Sequence, residues 1–137
     1  MDYRLFDHTA DLGVEVTGAS QEELYAGAAF ALFDLLTDLS LVRAGVVREI
    51  VVSGEDPAEL LVNFLREILY GWNGDGFLMK SCLVREVKPQ RLSALLRGET
   101  YDPARHRILK EIKAVTYHQA VVEKKGDLWV ARVIFDV

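Results

Sequence analysis

The sequence is poor in the residues that form covalent or metal cross-links. Cys82 is the only cysteine among 137 residues, so an intrachain disulfide and a cysteine-rich zinc site are both excluded. The sequence also has no His-x-x-x-His or Cys-x-x-Cys pair, which leaves zinc binding weakly supported. A lone cysteine of this kind is usually a buried, inert thiol, and we expect that state for Cys82.

Basic residues are outnumbered by acidic ones, 16 to 21, and long apolar runs are absent. The net charge of −5 and the isoelectric point near 5.2 argue against a dedicated nucleic-acid-binding protein, which usually has a basic surplus. The longest apolar run, residues 26–33, is too short to cross a bilayer. The first residues lack the basic start and apolar stretch of a signal peptide, so we expect a soluble cytoplasmic protein without a membrane partner.

Two common catalytic patterns are missing. The glycine-rich segment 71–76 follows a predicted helix, whereas a phosphate-binding loop follows a strand, and it lacks Gly-Lys-Ser/Thr. We interpret it as a turn. Ser20 and Ser53 have no nucleophile-elbow context, which leaves serine hydrolase chemistry unsupported.

Local patterns predict two helices. Ser20 and Glu23 have the spacing of a capping box, and apolar residues follow them at helical spacing. Asp56 as N-cap and Pro57 at the first helical position begin a second helix, whose apolar residues continue in three- and four-residue steps to Trp72. Each helix should bury one apolar face.

The remaining segments predict mainly strands. Alternating or β-branched residues mark them at 5–6, 12–17, 46–53, 77–87, 90–97, 112–117, 120–123 and 128–137. Segment 98–107 contains a turn signal and is predicted to be a surface loop, and segment 124–127 is predicted to be a hairpin turn. Together these elements predict one α+β domain over residues 1–137, with two layers. Two amphipathic helices would pack on one side of a mostly antiparallel sheet.

Acidic residues at the two ends of the chain are the main candidate for a site. Asp11 follows the first strand segment, Asp136 ends the last one, and Val137 would add its α-carboxylate. If the fold brings them together, they form an oxygen-rich pocket suited to calcium, magnesium or manganese in preference to zinc. Sequence spacing alone does not bring them together, and the alternative is that these carboxylates simply face water.

Three further residues are weaker candidates. His8 and His118 are accessory candidates for a nitrogen ligand or a general base, although a lone histidine is more often a hydrogen-bonded structural residue. His106, in the predicted loop, has no neighbours that suggest a role. Lys113 lies in a strand pattern, where it would line a pocket and pair with a carboxylate or phosphate; the alternative is an edge-strand lysine that discourages aggregation.

Several ordered motifs resemble the archease family nearly from end to end. The segments that carry the resemblance are Asp7-His8-Thr9-Ala10-Asp11-Leu12-Gly13, residues 28–38, residues 60–70, Gly98-Glu99-Thr100-Tyr101-Asp102-Pro103-Ala104-Arg105-His106, residues 111–118 and the terminal Phe135-Asp136-Val137. Because these motifs occur in order in one short chain, together they are far more specific than any one of them.

The resemblance implies an α+β protein with a strand-helix-strand-strand core that assists an enzyme and is not one itself. Members of the family activate the metal- and GTP-dependent RNA ligase that joins tRNA exon halves. They promote guanylylation of the ligase histidine and multiple turnover in tRNA splicing and RNA repair, so RNA would be contacted only indirectly. The family's metal ligands correspond to Asp11, Asp136 and Val137, and Lys113 corresponds to a lysine needed for ligase activation.

Two other functions stay open at this point. A stand-alone metal-dependent phosphoester hydrolase would use the same carboxylates to position a metal-bound water. A binding module would use the acidic site only for its own stability.

Overall fold

The computed structural model describes residues 2–8 and 11–137, without the side chains of Asp7 and His8. In this part of the chain, two antiparallel sheets pack with two helices. The first sheet has the order β1-β2-β7-β6, formed by Tyr3–His8, Asp11–Gly18, Leu128–Asp136 and Ala114–Lys125. The second has the order β3-β5-β4, formed by Val46–Ser53, Arg91–Thr100 and Phe77–Lys88. The helices are α1, Gln21–Leu36, and α2, Pro57–Asp75.

Helix α1 begins at the predicted cap. The Ser20 side chain accepts a hydrogen bond from the main-chain N–H of Glu23, and the Glu23 carboxylate accepts one from the N–H of Ala19. These bonds satisfy donors that a helix start otherwise leaves unpaired. Helix α1 contacts strands of both sheets and is buried on most sides, so its apolar surface is broader than the single stripe that we predicted.

Helix α2 begins at its predicted cap but ends later than predicted, because residues 71–75 of the segment that we interpreted as a turn are helical. The Asp56 carboxylate accepts a hydrogen bond of 2.8 Å from the main-chain N–H of Glu59, and Pro57 occupies the first turn. Gly76 ends the helix in the left-handed conformation, with φ of 72°. One face of α2 is buried in the core, whereas Arg66, Glu67 and Tyr70 remain exposed.

The prediction of an α+β fold is confirmed, and the predicted strand-helix-strand-strand unit is β3-α2-β4-β5. The strands form two sheets where we predicted one, because the β6–β7 hairpin pairs with β2 and the β4–β5 hairpin pairs with β3. The core lies between these sheets and the helices. None of the helices in the described ranges is long and apolar enough to span a membrane.

Two differences from the predicted boundaries affect the site. Strand β5 continues to Thr100, into the segment predicted to be a loop. Strand β6 contains a bulge between Thr116 and Val121, where Gln119 has a φ of 60°. The bulge joins two segments that the sequence patterns had separated, and it bends the edge strand of the first sheet.

Candidate functional site

The end of the first sheet brings together two aspartates from opposite ends of the sequence. Asp11, the first residue of β2, pairs directly with Asp136, the last residue of β7. Because direct partners in an antiparallel pair project from the same face, their Cβ atoms should lie about 4.5–5.5 Å apart. Val137 follows Asp136 and is half-buried. The backbone therefore assembles the acidic residues that the sequence alone could not place together.

These aspartates lie on the outer face of the sheet, away from the helices. Val14 and Val133 are direct partners and fully buried, so their shared face is the inner one. Alternation along the strands puts Asp11 and Asp136 on the opposite face. Both carboxylates are therefore accessible to an ion or a partner from outside the core.

The same outer face shows how this sheet neutralises a carboxylate elsewhere. Glu15 lies between Arg4, whose Nε is 2.8 Å from its Oε1, and Arg132, whose Nε is 3.4 Å from its Oε2. The hydrogen bond from Arg4 and the charge of Arg132 lower the pKa of Glu15. Arg132 also lies 4.0 Å from the centre of the Phe6 ring. Glu15 is thus committed to an ion-pair network.

The chemistry of the acidic pair suits a hard cation. Carboxylate and main-chain oxygens are the ligands that calcium, magnesium and manganese prefer, and like charges directly opposite each other on a sheet are destabilising without a counter-ion. Among the described side chains, which do not include those of Asp7 and His8, no group of three His, Cys, Asp or Glu is placed to hold a metal. An ion held by Asp11 and Asp136 would therefore need main-chain oxygens, water or ligands from another molecule to complete its coordination.

Lys113 adjoins the acidic pair through its main chain, while its side chain lines a separate cleft. Its N–H donates a 2.7 Å hydrogen bond to the carbonyl oxygen of Asp136. The side chain is exposed and lines a cleft of about 260 Å³ with Arg66, Tyr70 and Asn73 of α2. The main chain of Lys113 is thus bonded to Asp136, whereas its side chain lies at the cleft beside α2.

The roles of the two accessory histidines both stay predictions. The backbone of His8 pairs with Asp11, but its side chain lies outside the described residues, so its role as a ligand stays a prediction. His118 lies in the β6 bulge, four residues beyond Ala114, the partner of Asp136. The bulge interrupts the register at this point, and the accessory role of His118 also stays a prediction.

Sequence reasoning missed a buried network around His106. The predicted surface loop is wrong at this residue, which is only 4% exposed. His106 Nδ1 accepts a 2.8 Å hydrogen bond from the N–H of Asp102, so Nε2 carries the proton and donates to Glu99 Oε2 at 2.9 Å. A clue was present in the sequence, because Glu99, Arg105 and His106 fall within one short segment.

Glu99 is the centre of this network. It accepts hydrogen bonds from both terminal nitrogens of Arg105, from His106 and from the main-chain N–H of Arg43. The Arg105 guanidinium, more than any other neighbour, holds the pKa of Glu99 well below its usual range. A carboxylate with so many donors is a structural anchor, and it ties the end of β5 to the segment after α1.

The loop that starts at this anchor delivers Lys113 to its place. Leu109 N–H donates to the carbonyl of Leu36 at 2.8 Å, and the Thr37 hydroxyl donates to the carbonyl of Arg107. Lys113 is the last residue before β6. The loop is therefore held at Glu99, at the end of α1 and at Asp136, so the position of Lys113 is set by the fold.

Residues 3–137 match a family model described as the Archease protein family (MTH1598/TM1083). The chain belongs to the archease family. The archease of Methanopyrus kandleri is 40% identical over all of both chains, and that of Pyrococcus abyssi is 38% identical over 96% of each.

Solved archease-like structures share the fold. The solution structure of Methanobacterium thermoautotrophicum protein 1598 has a TM-score of 0.83 and 31% identity, covering 98% of each chain. The crystal structure of a Thermotoga maritima archease, described as a possible chaperone, has a TM-score of 0.66 and 23% identity, covering 96% of this chain and 94% of that one. The second likeness supports the fold alone.

Proposed function

We propose that this archease-family protein activates the GTP-dependent RNA ligase of tRNA splicing through a divalent-metal site at Asp11, Asp136 and Val137. The observation that carries the proposal is the direct pairing of Asp11 with Asp136 on the outer face of the first sheet. Family membership along residues 3–137 supports the choice of partner. In this proposal the protein acts in the cytoplasm as an activator, or chaperone, of the ligase and not as an enzyme.

No three described His, Cys, Asp or Glu side chains are grouped to hold a metal, which supports an ion shared with the partner. Asp11 and Asp136 would hold the ion with an oxygen of Val137, and its remaining positions would be open to the ligase or its nucleotide. A divalent cation there neutralises phosphate charge when bound. We expect calcium to bind most readily in vitro, with manganese or magnesium as alternatives. Lys113 would contact the ligase or a phosphate beside the ion.

The decisive experiment is ligation of RNA halves by purified ligase at limiting concentration. Wild-type protein should raise turnover and ligase guanylylation, whereas Asp11→Asn and Asp136→Asn should not. Asp127→Asn is the matched control, because Asp127 lies in the turn at the far end of the same β6–β7 hairpin. Equal stimulation by Asp136→Asn and wild type would refute the metal-site mechanism.

A control without ligase addresses the enzymatic alternative. The purified protein should not turn over a panel of phosphate esters with manganese or magnesium. Turnover that depends on Asp11 and Asp136 would favour the phosphoester hydrolase. Metal-dependent melting without any effect on ligation would favour a binding module in which the acidic site only stabilises the fold.

A further inference from the structure

The cleft between α2 and the start of β6 has the composition of an anion site in an otherwise acidic protein. Its polar lining consists of Arg66, Lys113, Asn73 and Tyr70, and its volume is about 260 Å³. Among the described residues, no carboxylate lines this cleft. Two cations and an amide that converge in a concave site, in a chain of net charge −5, favour a phosphate or carboxylate ligand.

Arg66 is oriented for such a ligand by the fold. Its Nε donates a 2.9 Å hydrogen bond to the carbonyl of Val115 in β6. This bond fixes the plane of the guanidinium, whose two terminal nitrogens provide four further donors in a planar fork. A fork held in this way can bind two oxygens of one phosphate group with little loss of side-chain entropy.

Tyr70 gives the cleft an exposed aromatic ring, which a simple anion would not contact. Its side chain is 73% exposed, the highest value among the large apolar and aromatic residues of the described chain. Tyr70 borders the cationic cleft and also a neighbouring cleft of about 430 Å³ that includes Asn63 and Glu67. An exposed aromatic ring beside an arginine is a suitable platform for a nucleic-acid base.

We propose that this cleft binds a nucleotide, with its phosphate between Arg66 and Lys113 and its base against Tyr70. The ligand in this proposal is a free nucleoside monophosphate or one nucleotide at the end of an RNA strand. A protein carboxylate would use the two cations but not the exposed Tyr70 ring, whereas a nucleotide would use both. The inference gives Lys113 a specific ligand, and it rests on the proposed function.

The cleft also adjoins the acidic pair. Ala114 lines the cleft and is the direct partner of Asp136, so the two places lie on neighbouring strands about 5 Å apart at the backbone. The acidic pair is on the outer face, and the cleft opens toward α2. A phosphate on one side and a divalent cation on the other would attract each other across this sheet edge.

The test is binding of GMP, inorganic phosphate and a short 5′-phosphorylated oligoribonucleotide to the full chain by calorimetry, with EDTA so that the acidic site is empty of metal. We expect GMP or the oligonucleotide to bind, with affinity falling about tenfold or more for Tyr70→Leu and for Arg66→Gln. Arg97→Gln, an exposed arginine of β5 outside the cleft, is the control and should have no effect. Tyr70→Leu alters only an exposed side chain, so it keeps the test valid if Arg66→Gln unfolds.

The outcomes separate this inference from the proposed function. Binding of GMP that depends on Arg66 and Tyr70 supports a free nucleotide as the source of the phosphate, and binding of the oligonucleotide alone supports an RNA end. No binding, binding insensitive to both variants, or equal affinity for inorganic phosphate and GMP would overturn the inference. Nucleotide binding without any ligase stimulation would overturn the proposed function alone.

Discussion

Replacing Glu99 by glutamine should destabilise the whole protein, although Glu99 lies outside the proposed sites. The carboxylate accepts hydrogen bonds from Arg105, His106 and the main chain of Arg43, and only 15% of its side chain is exposed. Glutamine has nearly the same shape but one oxygen fewer and no charge. Its amide group would also face donors of Arg105.

The expected loss can be estimated from these bonds. A hydrogen bond to a charged group contributes about 1.5–3 kcal/mol, and removing one partner of a buried pair costs about 3–5 kcal/mol. Because Glu99 is partly exposed and glutamine keeps one acceptor, we expect a loss of about 2–4 kcal/mol in the free energy of unfolding. At about 4 °C per kcal/mol for a chain of this size, the melting temperature should fall by roughly 8–16 °C.

The effect should also depend on pH. The folded pKa of Glu99 lies below the unfolded value near 4.5, so its stabilising contribution is complete above that value and is lost as the pH falls toward the folded pKa. The difference between wild type and Glu99→Gln should therefore be constant from about pH 6 to 8 and shrink below about pH 4.5. Urea unfolding at several pH values measures it.

Glu49→Gln is the matched control, because Glu49 is exposed on β3 and faces Leu95 across the sheet. This control should change stability by no more than about 0.5 kcal/mol. If Glu99→Gln is as stable as the control, or if its effect is the same at pH 7 and pH 3, the ion-pair network does not anchor the loop.

Three further predictions concern other parts of the fold. Gly98→Ala should cost about 3 kcal/mol or prevent folding, because a Cβ there would lie 1.9 Å from the carbonyl oxygen of Leu78; Gly74→Ala, with nothing within 4 Å, is the control in urea unfolding. Asp136→Asn should abolish the rise in melting temperature that calcium gives to wild type, a rise that corresponds to a stabilisation of about 2.7 kcal/mol at a hundred times the dissociation constant. Burial raises the pKa of the half-buried Cys82 thiol to about 12, so at pH 8 iodoacetamide should alkylate the folded protein much more slowly than the unfolded one, as followed by mass spectrometry.

Local chemistry determined which elements the sequence could predict. The cap at Asp56 and the proline that follows it are neighbours in sequence, so the start of α2 followed from local residues. The end did not, because the glycine-rich segment 71–76 that predicted a turn continues the helix to Asp75. The β-branched composition of 46–53 likewise predicted β3 with its observed bounds. Such signals need no information about the rest of the chain.

The site depended on contacts between distant segments. Period-two patterns at Asp11 and Asp136 predicted two strands but not that they would pair, because register depends on how the sheet is assembled. The burial of His106 depends on Glu99 and on Arg43, which is far away in sequence. The cleft beside Lys113 could not be predicted, because it depends on where α2 packs and no local pattern around Lys113 indicates that position.

The pairing of β2 with β7 has a consequence for biosynthesis. Asp11 and Asp136 are 125 positions apart (136 − 11), and at about 5–20 residues per second the ribosome needs roughly 6–25 s to add the second after the first. During that interval β2 lacks a partner strand on one edge, and the nascent chain has only half of the carboxylate pair. A fragment released before β7 is made would therefore lack the proposed metal site altogether.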